Sequence, residues 1–514
     1  MRNRSRARRA LVVAATAIAA VFAASPLTAH AAGPYGGTAA NGFSGPLAIP
    51  SSGSLGEPTI IRDSANRLFV TAPQSIGNIN GAGGSPMFTS LDGGATWGAP
   101  VRSQACTGLS GGDTDLAVDG GDNVFQTDLW LGNSCLSIST DHGTSFAAGN
   151  PFGTHPNVGD DRPWLAWNRV SNQLYAIYDG VDAIHAANTA PLVNPLLGIQ
   201  TITDNVVIPE SALSSSSVPN TVRACVCPPG GIAVDNSTGS STHKGRIYVS
   251  YSHQDGTAIS YADLSGTCPA CTATTWTGPI VIPGSGSTMS AFENEFNFDP
   301  IKVDANGTIY VSWAHGVGFN TTSRLATSVQ IEYSYSTNGG VSWSSPRTIS
   351  TEGGTSTFPT LDVVGPGVID VAWYGDPAHT ADPNAAAGPW NLYYTRVTGA
   401  ATNSPSFTPS IAISGMHTNA CIQSGGGASC TDRSLLDFFT LVDDTCGNPN
   451  VIYTGGDVTN GVQLYFTKLS LTSCSLGTVT PEVPWVPMLI VPGAVVAMLG
   501  LRRHSRRQTV PLTA

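Results

Sequence analysis

Charge is scarce in this chain. Only 11% of its 514 residues are Asp, Glu, Lys or Arg, and acids outnumber bases 34 to 23, for a net charge of -11. There is no basic stripe for a phosphate backbone, which excludes nucleic acid as a partner. Long amphipathic helical periodicity is also missing, which argues against helical fold classes. What is plentiful is turn chemistry. The 58 glycines and 35 prolines suit many short strands joined by tight turns.

One turn pattern recurs. Ser90-Leu91-Asp92-Gly93-Gly94-Ala95-Thr96-Trp97 is its cleanest copy, followed by Ser139–Phe146 with Phe for Trp and Ser336–Trp343 with Asn for Asp. The Asp or Asn side chain can bond back to backbone N–H groups, and the glycines supply conformations closed to other residues. The hydroxyl adds a second bond to the backbone, and the aromatic ring plugs the turn onto apolar surface. The pattern resembles the Asp-box, or bacterial neuraminidase repeat, of the sialidase superfamily. That motif stabilises a turn and touches no substrate, so it speaks to fold and not to chemistry.

A larger repeat surrounds it, in which a polar loop and a short strand are followed by a tight turn and a β-branched or aromatic strand. Copies start at Glu57, Asp115, Trp164, Gly231, Pro300, Thr360 and Phe438. Seven units at roughly this spacing read as four-stranded blades. The expected fold is all-β, a β-propeller with seven blades, or six as in classical sialidases. It covers residues 55–477, preceded by a linker over 32–54.

Both termini read as targeting elements. Residues 1–31 have an arginine-rich start, an apolar stretch and Ala29-His30-Ala31, the pattern of a secretory signal peptide. After a linker over 478–484, residues 485–501 form an apolar run near the lower limit for a membrane span. The basic tail over 502–514 places the C-terminus inside and the body outside. The alternative is a cleaved hydrophobic tail. No Leu-Pro-x-Thr-Gly motif is present. The expected location is the outer surface of the plasma membrane.

Ten cysteines in an exported chain read as disulfides. Proximity pairs Cys106 with Cys135, Cys421 with Cys430, and Cys446 with Cys474. Cys225, Cys227, Cys268 and Cys271 remain, as two loop-tying disulfides or, alternatively, a Cys₄ zinc site.

Polar residues concentrate on loops leading into the first strand of each unit and at the ends of the second strands. The resemblance implies a sialidase site: three arginines on the sugar carboxylate, a Tyr nucleophile paired with a Glu, and an Asp acid/base. On this chain those roles would fall to Arg162, Arg223 and Arg433, with Tyr374, Glu295 and Asp161, or Asp115 as the acid. Asp115, Asp160, Glu293, His253, His315 and Asp376 would line the ligand. The Arg-Ile-Pro motif of the first inner strand is absent. Glu57-Pro58-Thr59-Ile60-Ile61 stands there, with Arg62 at the far end. Asp160-Asp161-Arg162-Pro163-Trp164 and Asp432-Arg433 also resemble blocks of actinobacterial sialidase-like surface proteins, where the Arg could instead bridge blades structurally. No cofactor is required; paired acids leave calcium open. The expected function is engagement of a glycan or glycoconjugate, with exo-α-sialidase hydrolysis and envelope scaffolding as alternatives. The oligomeric state is not fixed by the sequence.

Overall fold

The computed structural model describes residues 36–73, 84–103, 111–130, 133–151, 160–180, 182–213, 229–253, 255–268, 271–286, 298–318, 327–376, 388–417, 435, 437–456 and 461–473. The expected leader and anchor lie outside the described residues. Among the described residues no helix is long and apolar enough to cross a membrane.

Two short strands, β1 (Thr38–Ala39) and β2 (Leu47–Ala48), precede a repeating pattern. The next sheet is β3 (Thr59–Arg62), β4 (Leu68–Thr71), β5 (Pro86–Ser90) and β6 (Val101–Arg102). It is followed by β7 (Leu116–Val118), β8 (Val124–Trp130), β9 (Asn133–Ser139) and β10 (Ala148–Pro151). Then come β11 (Asp161–Asn168), β12 (Gln173–Asp179), β13 (Ala183–Thr189) and β14 (Ile202–Pro209), with a short helix α1 (Pro195–Gly198) before β14. The following sheet is β15 (Pro229–Val234), β16 (Ile247–His253), β17 (Gly256–Ala262) and β18 (Trp276–Val281).

A nine-stranded sheet holds two further four-strand runs. These are β19 (Ile301–Val303), β20 (Ile309–Val317), β21 (Ser328–Ser336) and β22 (Arg347–Thr348), and β23 (Thr355–Gly365), β24 (Val368–Asp376), β25 (Trp390–Thr398) and β26 (Ser410–His417). One parallel pair, Val329 with Thr355, joins them, and β1 adds to the outer edge at β26. The last sheet is β27 (Thr440–Asp443), β28 (Pro449–Gly455) and β29 (Gln463–Lys468). Its fourth strand is β2, so an early strand closes the ring onto the last described one. Every first-and-second strand pair read from the sequence is an antiparallel ladder here.

The second strands β12, β16 and β28 are buried along their whole length. A strand covered on both faces needs a near-continuous apolar or β-branched run, as Ile247-Tyr248-Val249 supplies. The first strands β3, β7, β11, β15, β19, β23 and β27 touch in succession, and β27 touches β3. Their leading ends are stitched by side chains. Thr440 Oγ1 accepts the Ile60 N–H at 2.7 Å, Asp115 Oδ2 the Leu165 N–H at 2.7 Å, and Thr360 Oγ1 the Leu441 N–H at 3.3 Å. These bonds join equivalent positions, so the first strands all start on one face, the mouth. The first-to-second hairpins share the opposite face, where Ser64 bonds Asp122, Arg169 bonds Asn236, Gly367 bonds Asp304 and Thr445 bonds Asn66. This ring of meanders is the architecture of a β-propeller. Its axis holds a cavity of about 130 Å³, lined from all seven first strands.

The three eight-residue turns connect third to fourth strands, on the hairpin face. In the first, Asp92 Oδ1 accepts the Ser90 hydroxyl and the Thr96 N–H, both at 2.8 Å, and Ser90 Oγ accepts the Gly94 N–H at 2.8 Å. Asp141 with Ser139, and Asn338 with Ser336, repeat these bonds. Trp97 is buried edge-to-face on Phe466 of the neighbouring sheet, centroids 5.5 Å apart.

Cys268 and Cys271 are bonded to each other, which removes two ligands from the alternative Cys₄ zinc site. Cys135 and Cys446 are also disulfide-bonded. Cys106, Cys225, Cys227, Cys421, Cys430 and Cys474 lie outside the described residues.

Candidate functional site

Three residues at or just before the leading part of first strands share an uncommon backbone. Glu57, Arg162 and Phe358 each precede a proline and each have φ of 52°. A left-handed conformation costs a non-glycine residue about 1–3 kcal/mol and persists where surrounding contacts over-determine it. Here they turn the chain at the mouth of the central channel, and in β11 the ladder shifts register between Asp161 and Trp164.

Arg162 is the hub of that mouth. Its Nη2 is paired with Asp437, its Nε lies 3.3 Å from Asp113 and 3.9 Å from Asp161, and its Nη1 lies 3.7 Å from Glu57. The guanidinium also sits over the Phe298 ring, 4.8 Å from its centroid, a cation–π arrangement. Burial opposes its charge, but the surrounding carboxylates, Asp113 foremost, hold its pKa well above the ordinary value. These partners come from the leads into β3, β7, β11 and β27, so one side chain ties four sheets together. Partial enclosure and the adjacent Asp113 carboxylate push Asp161 up to about 7.

Beneath the arginine lies an aromatic floor. Trp164 meets Phe438 edge-on at 4.8 Å, and Phe298 packs 5.7 Å from Phe438 and 6.3 Å from Phe358. Tyr374 lies behind it. It is fully buried, stacked on Phe439 at 4.2 Å, and its hydroxyl accepts the Thr454 N–H at 3.2 Å. Burial drives its pKa up. Tyr374 packs into the core.

Asp115 lines the axial cavity with Lys302, and burial pushes its pKa up to about 6. Asp160 is buried at the start of β11. His253 Nδ1 accepts the Asp255 N–H at 3.1 Å, so its Nε2 donates to the Ala212 carbonyl at 3.2 Å; burial lowers its pKa. His315 Nδ1 pairs with Glu332 at 2.8 Å. Asp376 is buried and accepts the Gly388 N–H at 3.2 Å. Arg62 is on the hairpin face, bonded to the Asp443 carbonyl. Arg223, Arg433, Glu293 and Glu295 lie outside the described residues. Among the described residues no group of His, Cys, Asp and Glu could hold a metal ion.

One cluster escaped the sequence reading. Tyr178 and His185 are cross-strand partners, stacked at 5.3 Å. Asp204 accepts the Tyr178 hydroxyl at 2.6 Å and lies 3.0 Å from His185 Nδ1, while Asp182 lies 3.2 Å from Nε2. Burial opposes the charge on His185, but the carboxylates of Asp204 and Asp182 prevail and its pKa rises. The signal was Tyr178 and His185 flanking a Gly-containing turn, which places them opposite each other in a hairpin.

The chemistry at the mouth follows from charge. Among the described residues, one cation faces four carboxylates. Such a site offers acceptors to hydroxyl groups and repels a further carboxylate.

No family model matches this chain, and no curated protein matches it in sequence. Solved structures with a similar course include a protein of unknown function from Dyadobacter fermentans, at 12% identity and a TM-score of 0.43, with 84% of this chain and 99% of that one covered. A point mutant of the NanB sialidase from Streptococcus pneumoniae aligns at 11% identity and 0.41, covering 84% and 70%. The endosialidase of phage phi92 aligns at 10% identity and 0.41, covering 90% and 73%. The fold assignment rests on the strand pairing above.

Proposed function

We propose that this chain is an exported, membrane-anchored, sialidase-like propeller that holds a neutral glycan at its mouth and does not hydrolyse sialosides. The observation that carries the reading is the set of four carboxylates, from Glu57, Asp113, Asp161 and Asp437, around Arg162. A sialic acid grip needs guanidinium groups free to take a carboxylate in bidentate fashion. Arg162 already serves internal acids. The buried Tyr374 and the missing Arg-Ile-Pro motif point the same way. Carboxylates above an aromatic floor suit a sugar, whose hydroxyls donate and whose ring faces are apolar.

Seven blades are inferred from the closed succession of seven first strands. The three Asp-turns are read as Asp-boxes on their side-chain bonding. Anchoring rests on the apolar run over 485–501 and the basic tail after it.

The test uses the purified full chain on an array of neutral and sialylated glycans, beside a fluorogenic sialoside. Retention of neutral glycans without turnover is the expected result. Turnover abolished by Arg223→Ala would replace the binding reading with a hydrolase, with Arg223, Arg433 and Glu295 as its working residues. Neither retention nor turnover would leave an envelope scaffold.

A further inference from the structure

The third-to-fourth strand connection of the β15–β18 sheet departs from its counterparts. In three other sheets this connection is an Asp- or Asn-centred turn. Here it runs from Ala262 to Trp276 and contains Cys268-Pro269-Ala270-Cys271, a C-x-x-C whose two sulfurs are bonded to each other.

The two sulfurs stand in different surroundings. Cys271 is fully buried, whereas Cys268 is exposed, as are Ser265, Gly266 and Thr267 before it. Cys135 is buried and Cys446 only partly exposed. Among the described residues, Cys268 is therefore the cysteine most open to a reactant from solvent.

The bond is not needed to shape its loop. Just outside it, the Ser265 N–H donates to the Thr272 carbonyl at 2.8 Å, and the Thr272 N–H donates to the Ser265 carbonyl at 3.0 Å. The Ser265 hydroxyl also donates to the Thr272 carbonyl, at 3.1 Å. At the root, Ala273 is buried and Leu264 packs against the same cluster, which holds Tyr175 of the neighbouring sheet. The cysteines are three positions apart, and closing a loop that short removes less chain entropy from the unfolded state than closing a longer one. Stability thus explains little of this bond. Exposed disulfides are the labile ones that react with thiols.

We propose that Cys268–Cys271 is a thiol–disulfide exchange site that accepts two electrons from external thiols. An incoming thiolate attacks the exposed Sγ of Cys268. The Sγ–Sγ bond breaks, its electron pair goes to Cys271 Sγ, and that sulfur takes a proton from water. A second thiolate attacks the incoming thiol's own sulfur in the mixed disulfide. That releases Cys268 as a thiolate, which is protonated in turn. The net reaction converts two thiols into one disulfide and leaves Cys268 and Cys271 reduced. Burial of Cys271 fixes the order, because the Cys268 sulfur is the one approached from outside.

The experiment incubates the purified full chain with reduced glutathione, well below its thermal transition. It is then alkylated with N-ethylmaleimide and its peptides are mapped by mass spectrometry. Cys268 and Cys271 should be alkylated while Cys135 and Cys446 stay bonded. The rate should rise in proportion to thiol concentration, and about tenfold per pH unit below the thiol's pKa, since the thiolate is the attacking species. With oxidised glutathione, Cys271→Ser should form a mixed disulfide at Cys268, and Cys268→Ser should form none at Cys271. The double variant Cys268→Ser/Cys271→Ser is the blank. A reduced dithiol peptide in place of glutathione separates the sources. Exchange with glutathione alone assigns a small thiol and exchange with the peptide a protein thiol, and either supports the site. The site is overturned if neither thiol opens the bond, or if the adduct forms on Cys271. Opening at a rate independent of thiol concentration, as for a staple reached only by unfolding, would overturn it too.

Discussion

Arg162 shows how one residue can look like a ligand grip in sequence and act as a fastener in the fold. Its position before Pro163, between paired acids and an apolar strand, was legible. Glu57 and Asp437 were legible as charges on entry loops of the same face, but not as its partners, because they are distant in sequence and meet it only when the ring closes. Removing the guanidinium leaves Glu57, Asp113 and Asp437 facing one another. Arg162→Ala is therefore expected to cost about 3–5 kcal/mol, the usual penalty for breaking a buried pair. Arg162→Lys, which keeps charge but loses the fork, should fall between the two. Chemical denaturation decides; an alanine variant as stable as the parent would free Arg162 for ligand. Asp443 behaves oppositely. Burial and the nearby Asp370 and Asp362 carboxylates push its pKa up to about 10, and Arg396, 3.7 Å away, offsets this only in part. At pH 7 the folded chain holds a proton there that the unfolded chain releases. Asp443→Asn removes that penalty and should add at least about 1 kcal/mol at pH 7. The gain should fade as pH drops toward 4; a loss at pH 7 would contradict the assignment.

At the scale of elements, the turns were the most readable part of the chain. Ser90, Asp92 and Thr96 satisfy one another locally, so their spacing alone specifies the turn. The seven strand pairs were equally readable, because a buried first or second strand must be a short apolar or β-branched run. Hidden from view were the closures that depend on distance in sequence, chiefly β2 on β29 and β1 on β26. β1 and β2 are only two residues long and carry no periodicity. The Asx turns of the hairpins were also passed over as generic tight turns. Asp119 accepts the Gly121 and Asn123 N–H groups, and Asp304 and Asp444 do the same in their own hairpins. Energetically, a turn's exposed carboxylate and its buried ring differ. Asp92→Ala should cost about 1 kcal/mol, a typical net hydrogen-bond contribution. Trp97→Ala, which opens a cavity against Phe466 between two sheets, should cost about 3–5 kcal/mol. Comparable losses from the two substitutions, in matched urea titrations, would mean that the ring does not carry the turn's contribution.

For the molecule as a whole, the scarcity of charge noted in the sequence has a consequence that only the fold supplies. Much of that charge is buried, and its titration points one way. Burial pushes Asp115 to about 6 and Asp128 to about 7, each against the hydrogen bonds it accepts. Asp299 is raised well above the carboxylate range by burial, and Asp443 to about 10. A carboxyl group whose pKa is raised by folding binds more proton in the folded chain. Its contribution is therefore largest near the unfolded value of about 4 and is lost as pH rises through the folded value. His185, raised by Asp204 and Asp182 against its burial, has the same sign: its stabilisation is present below the unfolded value and lost through the folded one. His253, lowered by burial, has the opposite sign and is one group against six, Asp161 included. The protein should therefore be more stable at pH 5 than at pH 8. Two such carboxyls retaining their protons across a single pH unit amount to about 2.7 kcal/mol. The measurement is the thermal transition of the full chain at fixed ionic strength across that window. A midpoint that stays level or climbs from pH 5 to pH 8 would mean that these acids are ionised in the folded state, relieved by water or partners that their burial does not provide.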